Sequence, residues 1–278
     1  MKSRGIIFIT LGILIVSGLI AGLFMAEIQK ALTITNVMGK TTMNATGPTA
    51  NNPAAMQAMP NMKTTATPAT AGTMPAQTQN GTTLASDNFQ RQDQPLWGLA
   101  SDGNQWNGDA NAKPAFSITG HTGRIGDGQG GTFNAVLGQS SKDAEVIAGG
   151  MLNHFAGGAN LGVVLRWTDA NNWYKLFIDG TTLTLIKRVN GVNSTITTIP
   201  FKAQGGAIYM LRFRTIGAML FARAWQSGTA EPTTWMITTN DTTLPQSGQA
   251  GIRVLVQPGI VASITTFTAT TAATDNNV

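Results

Sequence analysis

From Leu84 onward, apolar and polar residues alternate with period two, and no helical period appears anywhere in that stretch. In 161–167, Leu161, Val163, Leu165 and Trp167 share one face, and Gly162, Val164 and Arg166 the other. In 173–178, Tyr174, Leu176 and Ile178 oppose Trp173, Lys175 and Phe177. Asp179-Gly180 and Asn190-Gly191 then lead into two further alternating runs, 181–188 and 192–199, because Asp-Gly and Asn-Gly readily adopt the positive φ of a tight hairpin. More strands are predicted over 116–119, 131–137, 143–152, 208–215, 218–225, 234–239, 252–257 and 261–268. Short strands at regular spacing with glycine-rich turns predict an all-β chain, a two-sheet antiparallel jelly-roll sandwich.

The chain has no cysteine, so disulfides, thiolate metal sites and lipid attachment through a cysteine are excluded. The sandwich must stand on its hydrophobic core alone. Ahead of it lies a different kind of sequence. Residues 6–26 form an uncharged apolar run, about the length that crosses a ~30 Å hydrocarbon layer as a helix. Lys2 and Arg4 precede the run, which places residues 1–5 in the cytoplasm and sends the rest outward. Two readings follow: a single-pass signal anchor at the plasma membrane, or a cleaved secretory signal. The run exceeds an ordinary signal core, and Phe24 suits a signal peptidase poorly, which favours the anchor. Residues 27–83 read as a linker rich in Thr, Ala, Pro, Asn and Met, with no aromatic residue after Phe24 to bury. The folded domain is expected over 84–271 and a disordered tail over 272–278. All six tryptophans lie within that domain. From Asp87 onward thirteen Lys and Arg meet twelve Asp and Glu, so a nucleic-acid footprint is not indicated.

Several motifs resemble the concanavalin A-like lectin/glucanase superfamily, in particular laminin-G-like and 3-keto-disaccharide-hydrolase-like domains. They are Asp87-Asn-Phe89-Gln-Arg91, Trp106, Leu165-Arg166-Trp167-Thr-Asp169-Ala-Asn-Asn172-Trp173-Tyr174, Tyr209-Met-Leu-Arg212 through Trp225, and Glu231-Pro232-Thr-Thr-Trp235. The resemblance implies two curved antiparallel sheets, with glycans bound on the concave sheet or in the loops at its rim.

Glucanases of that superfamily carry a Glu-x-Asp-x-x-Glu strand motif, since glycoside cleavage needs two carboxylates flanking one bond. No such motif occurs here. The domain has only Glu145, near Asp143, and Glu231, so catalysis would need a pair that chain order hides, Glu145 with Asp169 or with Glu231. His121 and His154 are the only histidines, and no Gly-x-Ser-x-Gly elbow is present. Asp102, Asn104 and Asp109 are oxygen-rich candidates for calcium, as is 169–172, against the plainer reading of side-chain-capped turns.

Assigning the more apolar side of each strand to the core leaves Arg166, Trp173, Lys175, Arg188, Arg212, Arg214, Arg223, Trp225 and Arg253 facing away from it. Indole stacks on a sugar's C–H face, and guanidinium hydrogen-bonds hydroxyls and carboxylates. These nine residues are therefore the candidate surface for a polysaccharide or cell-surface glycan, preferably an anionic one. Three readings compete: non-catalytic glycan recognition, a hydrolase or lyase of 3-keto-disaccharide type, and an adhesive or structural module docking on a surface protein. A solvated outer sheet without a ligand is the alternative to all three.

Overall fold

The computed structural model describes residues 81–126 and 128–272. The expected membrane run, nearly all of the linker and the tail beyond Ala272 lie outside them. Sixteen strands run through the described residues. In chain order, β1 (Thr83–Asp87), β2 (Gln94–Pro95), β3 (Asn107–Gly108), β4 (Phe116–Thr119), β5 (Thr122–Ile125), β6 (Gly131–Ser141), β7 (Ala144–Leu152) and β8 (Leu161–Asp169) come first. They are followed by β9 (Asn172–Ile178), β10 (Thr182–Val189), β11 (Val192–Pro200), β12 (Tyr209–Ile216), β13 (Met219–Gln226), β14 (Ile237–Asn240), β15 (Gly248–Val256) and β16 (Ala262–Thr271).

Every pairing is antiparallel, and the strands fall into two sheets. The first runs β14-β13-β12-β7-β16-β5-β4-β2, with β1 also paired to β16. The second runs β11-β10-β9-β8-β15-β6-β3. The expected hairpin at Asn190-Gly191 is present: both residues have positive φ (48° and 82°), and Val189 pairs with Val192 across them. His121 serves the same purpose with Gly120 between β4 and β5, at φ 59° and 58°. It is an exposed turn residue.

The inner faces of the two sheets share one apolar cluster that draws on both. At one end Phe89, Trp97, Trp106, Phe116 and Phe267 pack edge-to-face or stacked, with ring centroids 4.8–5.9 Å apart. Two of these rings lie so close to the Gly123 backbone that a Cβ there would come within 2.4 Å of Phe89, which accounts for the glycine. Asp87 organises this end and explains the Asp-Asn-Phe-Gln-Arg motif. Its buried carboxylate accepts from both terminal nitrogens of Arg91 (2.8 and 3.0 Å), the Trp106 indole N–H (2.7 Å), and the Phe89 and Ser101 backbone N–H groups (2.9 and 3.2 Å). A buried charge this fully bonded is tolerated where a lone one would not be.

One irregularity governs the outer surface. The β8–β9 register shifts between Leu165 and Asp169, and the β15–β8 register shifts between Gln249 and Gly251. At this bulge Arg166 takes φ +51°. The alternation after Leu165 is thereby inverted. Trp167, expected beside Leu165 in the core, joins Val136, Val164 and Trp173 on the outer side of the second sheet. Arg166, expected outside, turns inward.

Candidate functional site

The nine candidate residues do not form one face. Strand pairing puts Arg212, Arg214, Arg223 and Trp225 on the outside of the first sheet, and Trp173, Lys175, Arg188 and Arg253 on the outside of the second. In a sandwich these surfaces look in opposite directions. Arg166 belongs to neither. It is 1 % exposed, and its guanidinium donates to the carbonyls of Lys142 (2.9 Å), Leu244 (2.8 Å) and Gly217 (2.5 Å), tying three loops together at the end of the core. As a glycan ligand it is therefore withdrawn: every edge of its guanidinium is used internally.

On the first sheet, Arg212 and Arg223 sit directly opposite each other on β12 and β13, a repulsive placement unless an anion intervenes. Glu231, in the loop after β13, supplies it, accepting from Arg212 Nη1 (2.8 Å) and Arg223 Nη2 (2.6 Å). Glu145 on β7 accepts from Arg212 Nη2 (2.5 Å) and Arg214 Nε (2.5 Å). The two glutamates thus meet across a single guanidinium, the convergence considered from sequence for a hidden acid pair. Trp235 lies over the array, its ring 5.9, 5.2 and 4.4 Å from the guanidinium carbons of Arg212, Arg214 and Arg223. Its loop passes over the sheet face, which is why β14 starts only at Ile237, later than the alternation predicts. Burial alone would lower Arg212, yet Glu145 and then Glu231 outweigh it and hold the guanidinium above its ordinary value. In Arg223, burial wins over Glu231. Beside this array, Trp225 pairs across the strands with Met210 and is half-buried, with no ring, cation or hydrogen-bond partner among the described residues.

The second sheet reverses these terms. Here the indoles are occupied: Trp167 and Trp173 lie parallel at 6.2 Å, Trp173 donates to the Ala170 carbonyl (3.1 Å), and Arg253 covers its ring at 4.4 Å. The cations lack acids. Arg188 faces Trp173 across β9–β10 and bonds Asn193 (3.0 Å), and Arg253 bonds Asn134. Lys175 lies down along the sheet over Gly162, where a Cβ would come within 2.5 Å of its Cε. Its ammonium donates to Asn160 Oδ1 (2.5 Å) and rests 4.8 Å from the Phe177 ring, at only 4 % exposure. Burial first, and then the charge of Arg253, push Lys175 well below the ordinary lysine range. Burial likewise takes Arg253 down to about 10, with Arg188 adding to the fall and Asp109 opposing it.

The calcium candidates take separate partners. Asp102 accepts from the Ser86 and Asn104 backbones (2.6 and 2.9 Å) and the Asn104 side chain (2.9 Å), closing its own turn. Asp109 pairs with Lys113 (3.1 Å) and caps the Asn134 backbone (2.9 Å). Asp169 caps Asn171 (2.6 Å) and binds the Asn172 amide. It lies on the second sheet, away from Glu145. Among the described residues no group of three His, Asp or Glu is placed to hold a metal ion.

No family model matches the chain, and no curated protein matches it. Solved structures similar to it include a carbohydrate-binding module, CBM66, from Bacillus subtilis (18% identity, TM-score 0.48, covering 60% of this chain and 95% of that one). The beta-glucanase of Bacillus licheniformis is another (14%, 0.46, 70% and 100%), as is the exoplasmic/lumenal domain of VIP36 in a Ca2+/Man3GlcNAc-bound form (9%, 0.48, 66% and 90%). Overlaps this partial add nothing about activity; the architecture rests on the strand order and register above.

Proposed function

We propose that this protein is a non-catalytic glycan-binding module, and that it engages sugar on the outer face of the first sheet between Trp225 and the Glu231–Arg223 pair. The observation that carries this reading is the unoccupied indole of Trp225 beside a ladder of guanidinium–carboxylate pairs. A sugar ring needs an apolar plane to stack on and fixed donors and acceptors for its hydroxyls, and both stand side by side here. The ladder is nearly balanced in charge, which suits a neutral sugar.

The convergence of Glu145 and Glu231 favours a second reading, glycoside cleavage. It is the weaker one. A general acid must carry a proton into the reaction, and both glutamates are ion-paired with two arginines each, so protonating either would break those pairs. Glu145 is also only 3 % exposed. The uncharged run 6–26 behind Lys2 and Arg4 supports an anchor that carries the module outward on its linker, at the plasma membrane.

The test is retention of the full chain on a panel of insoluble neutral and acidic polysaccharides, comparing wild type with Trp225→Ala. We expect at least one neutral polysaccharide to retain the wild type and about tenfold weaker retention of the variant, the loss of one stacking contact. Equal retention of both proteins removes Trp225 from the site. Release of reducing ends by wild type but not by Glu231→Gln would establish the hydrolase instead.

A further inference from the structure

We propose that the outer face of the second sheet is a separate oxyanion site, in which Arg253, Arg188 and Lys175 take up a sulfate or carboxylate group of an acidic polysaccharide. The inference does not use Trp225 and stands or falls independently of the neutral-sugar reading.

Three cations share this outer face: Arg253 on β15 covers the Trp173 ring, Arg188 on β10 pairs across from Trp173, and Lys175 on β9 lies two residues further along, against Phe177. None has a carboxylate within ion-pair distance among the described residues. Asp109, the acid whose charge acts on Arg253, is already paired with Lys113. Lys175 is more than nine-tenths buried, yet its three ammonium hydrogens meet one acceptor, Asn160. The Nε of Arg188 is buried without any partner, as are those of Arg212 and Arg223, but Arg188 has no carboxylate to balance its charge. Like charges held this close repel, and a fold with no use for them would place an acid among them, as the first sheet does with Glu145 and Glu231. Burial first, and then a neighbouring positive charge, lower the proton affinities of Lys175 and Arg253, and an incoming oxyanion opposes both effects. Asn134 and Asn160 hold Arg253 and Lys175 in place, so the guanidinium edges and the ammonium are positioned before any ligand arrives.

The site can be tested by equilibrium binding of dextran sulfate, polygalacturonate and neutral dextran to the full chain, with inorganic sulfate as competitor. The variants are Arg253→Gln, Arg188→Gln and Lys175→Met. Arg124→Gln removes the same charge from an exposed position on the other sheet, and Trp225→Ala removes the indole there. We expect one or both charged polymers to bind, neutral dextran not to bind at this face, and each of the three second-sheet variants to weaken binding about tenfold, the loss of one charge-assisted contact. Arg124→Gln and Trp225→Ala should leave binding within about twofold of wild type. Competition by inorganic sulfate at equal charge concentration would mark a site for the free anion; resistance to it would mark recognition of the polymer. Should Lys175→Met fail to fold, the half-exposed Arg188→Gln decides the matter by itself. The proposal is overturned if neither charged polymer binds, or if Arg124→Gln costs as much as Arg253→Gln, because binding would then follow net charge and not this cluster.

Discussion

The two outer faces carry the same residue types and complete them in opposite ways. On the first sheet Glu145 and Glu231 balance the charge of the arginines, and an indole, Trp225, is left over. On the second the indoles Trp167 and Trp173 are stacked and covered, and the cations are left over. Arg212 and Arg253 make the contrast concrete: both lose hydration to burial, yet two carboxylates lift Arg212 above its ordinary value while Arg253 falls to about 10. Composition therefore says little about what a β surface does. The informative quantity is which groups remain without partners once the strands are in register.

The comparison breaks most readily at Glu145. Glu145→Gln leaves Arg212 and Arg214 sharing less negative charge inside the first face, and we expect a loss of about 3–5 kcal/mol in urea unfolding. A loss below about 1 kcal/mol would mean the first face is no better completed than the second. Next is the contrast between indoles. Trp173→Ala removes a ring that is 1 % exposed and stacked on Trp167, so roughly 3 kcal/mol should be lost.

Lys175→Met should act in the opposite direction, stabilising the protein by about 1–2 kcal/mol at neutral pH, or a few degrees in Tm. The sign follows from linkage. The folded state holds the Lys175 proton less tightly than the unfolded chain, so wild-type stability rises with pH between the lowered folded value and the ordinary lysine range. The advantage of Met is therefore fully present below that window and disappears as pH climbs through it. Thermal unfolding from pH 6 to 10 checks this. A constant advantage across the range would mean the amine is not the cause. The smallest expected effect is that of Trp225→Ala, below about 1 kcal/mol in stability, since the ring is half-exposed and holds no partner. Lost glycan retention with unchanged Tm would mark Trp225 as a binding residue and not a packing one.

Most strands were legible as period-two runs, and the Asn190-Gly191 hairpin was legible because its φ values are ones these two residues adopt at little cost. The short strands β1, β2, β3 and β5 were not among those expected, although β4, with only four residues, was. Of the candidate surface, the opposition of Arg212 and Arg223 follows from the hairpin that joins their strands. The partners that decide its character did not follow: Glu231 and Trp235 reach it from a loop, and Asn134 and Asn160 reach the other face from distant strands and turns.

By itself the sequence determined that residues 84–271 form β-strands, because alternation is a local property that each strand carries in its own residues. Only the tertiary structure decided that nine outward candidates become two opposed faces and one buried tie. A single bulge at Arg166, set by three carbonyls far away in the chain, inverts the alternation after Leu165. Charge completion depends in the same way on residues separated by as many as 119 positions. No local pattern encodes such contacts; they exist only once the sheets have packed.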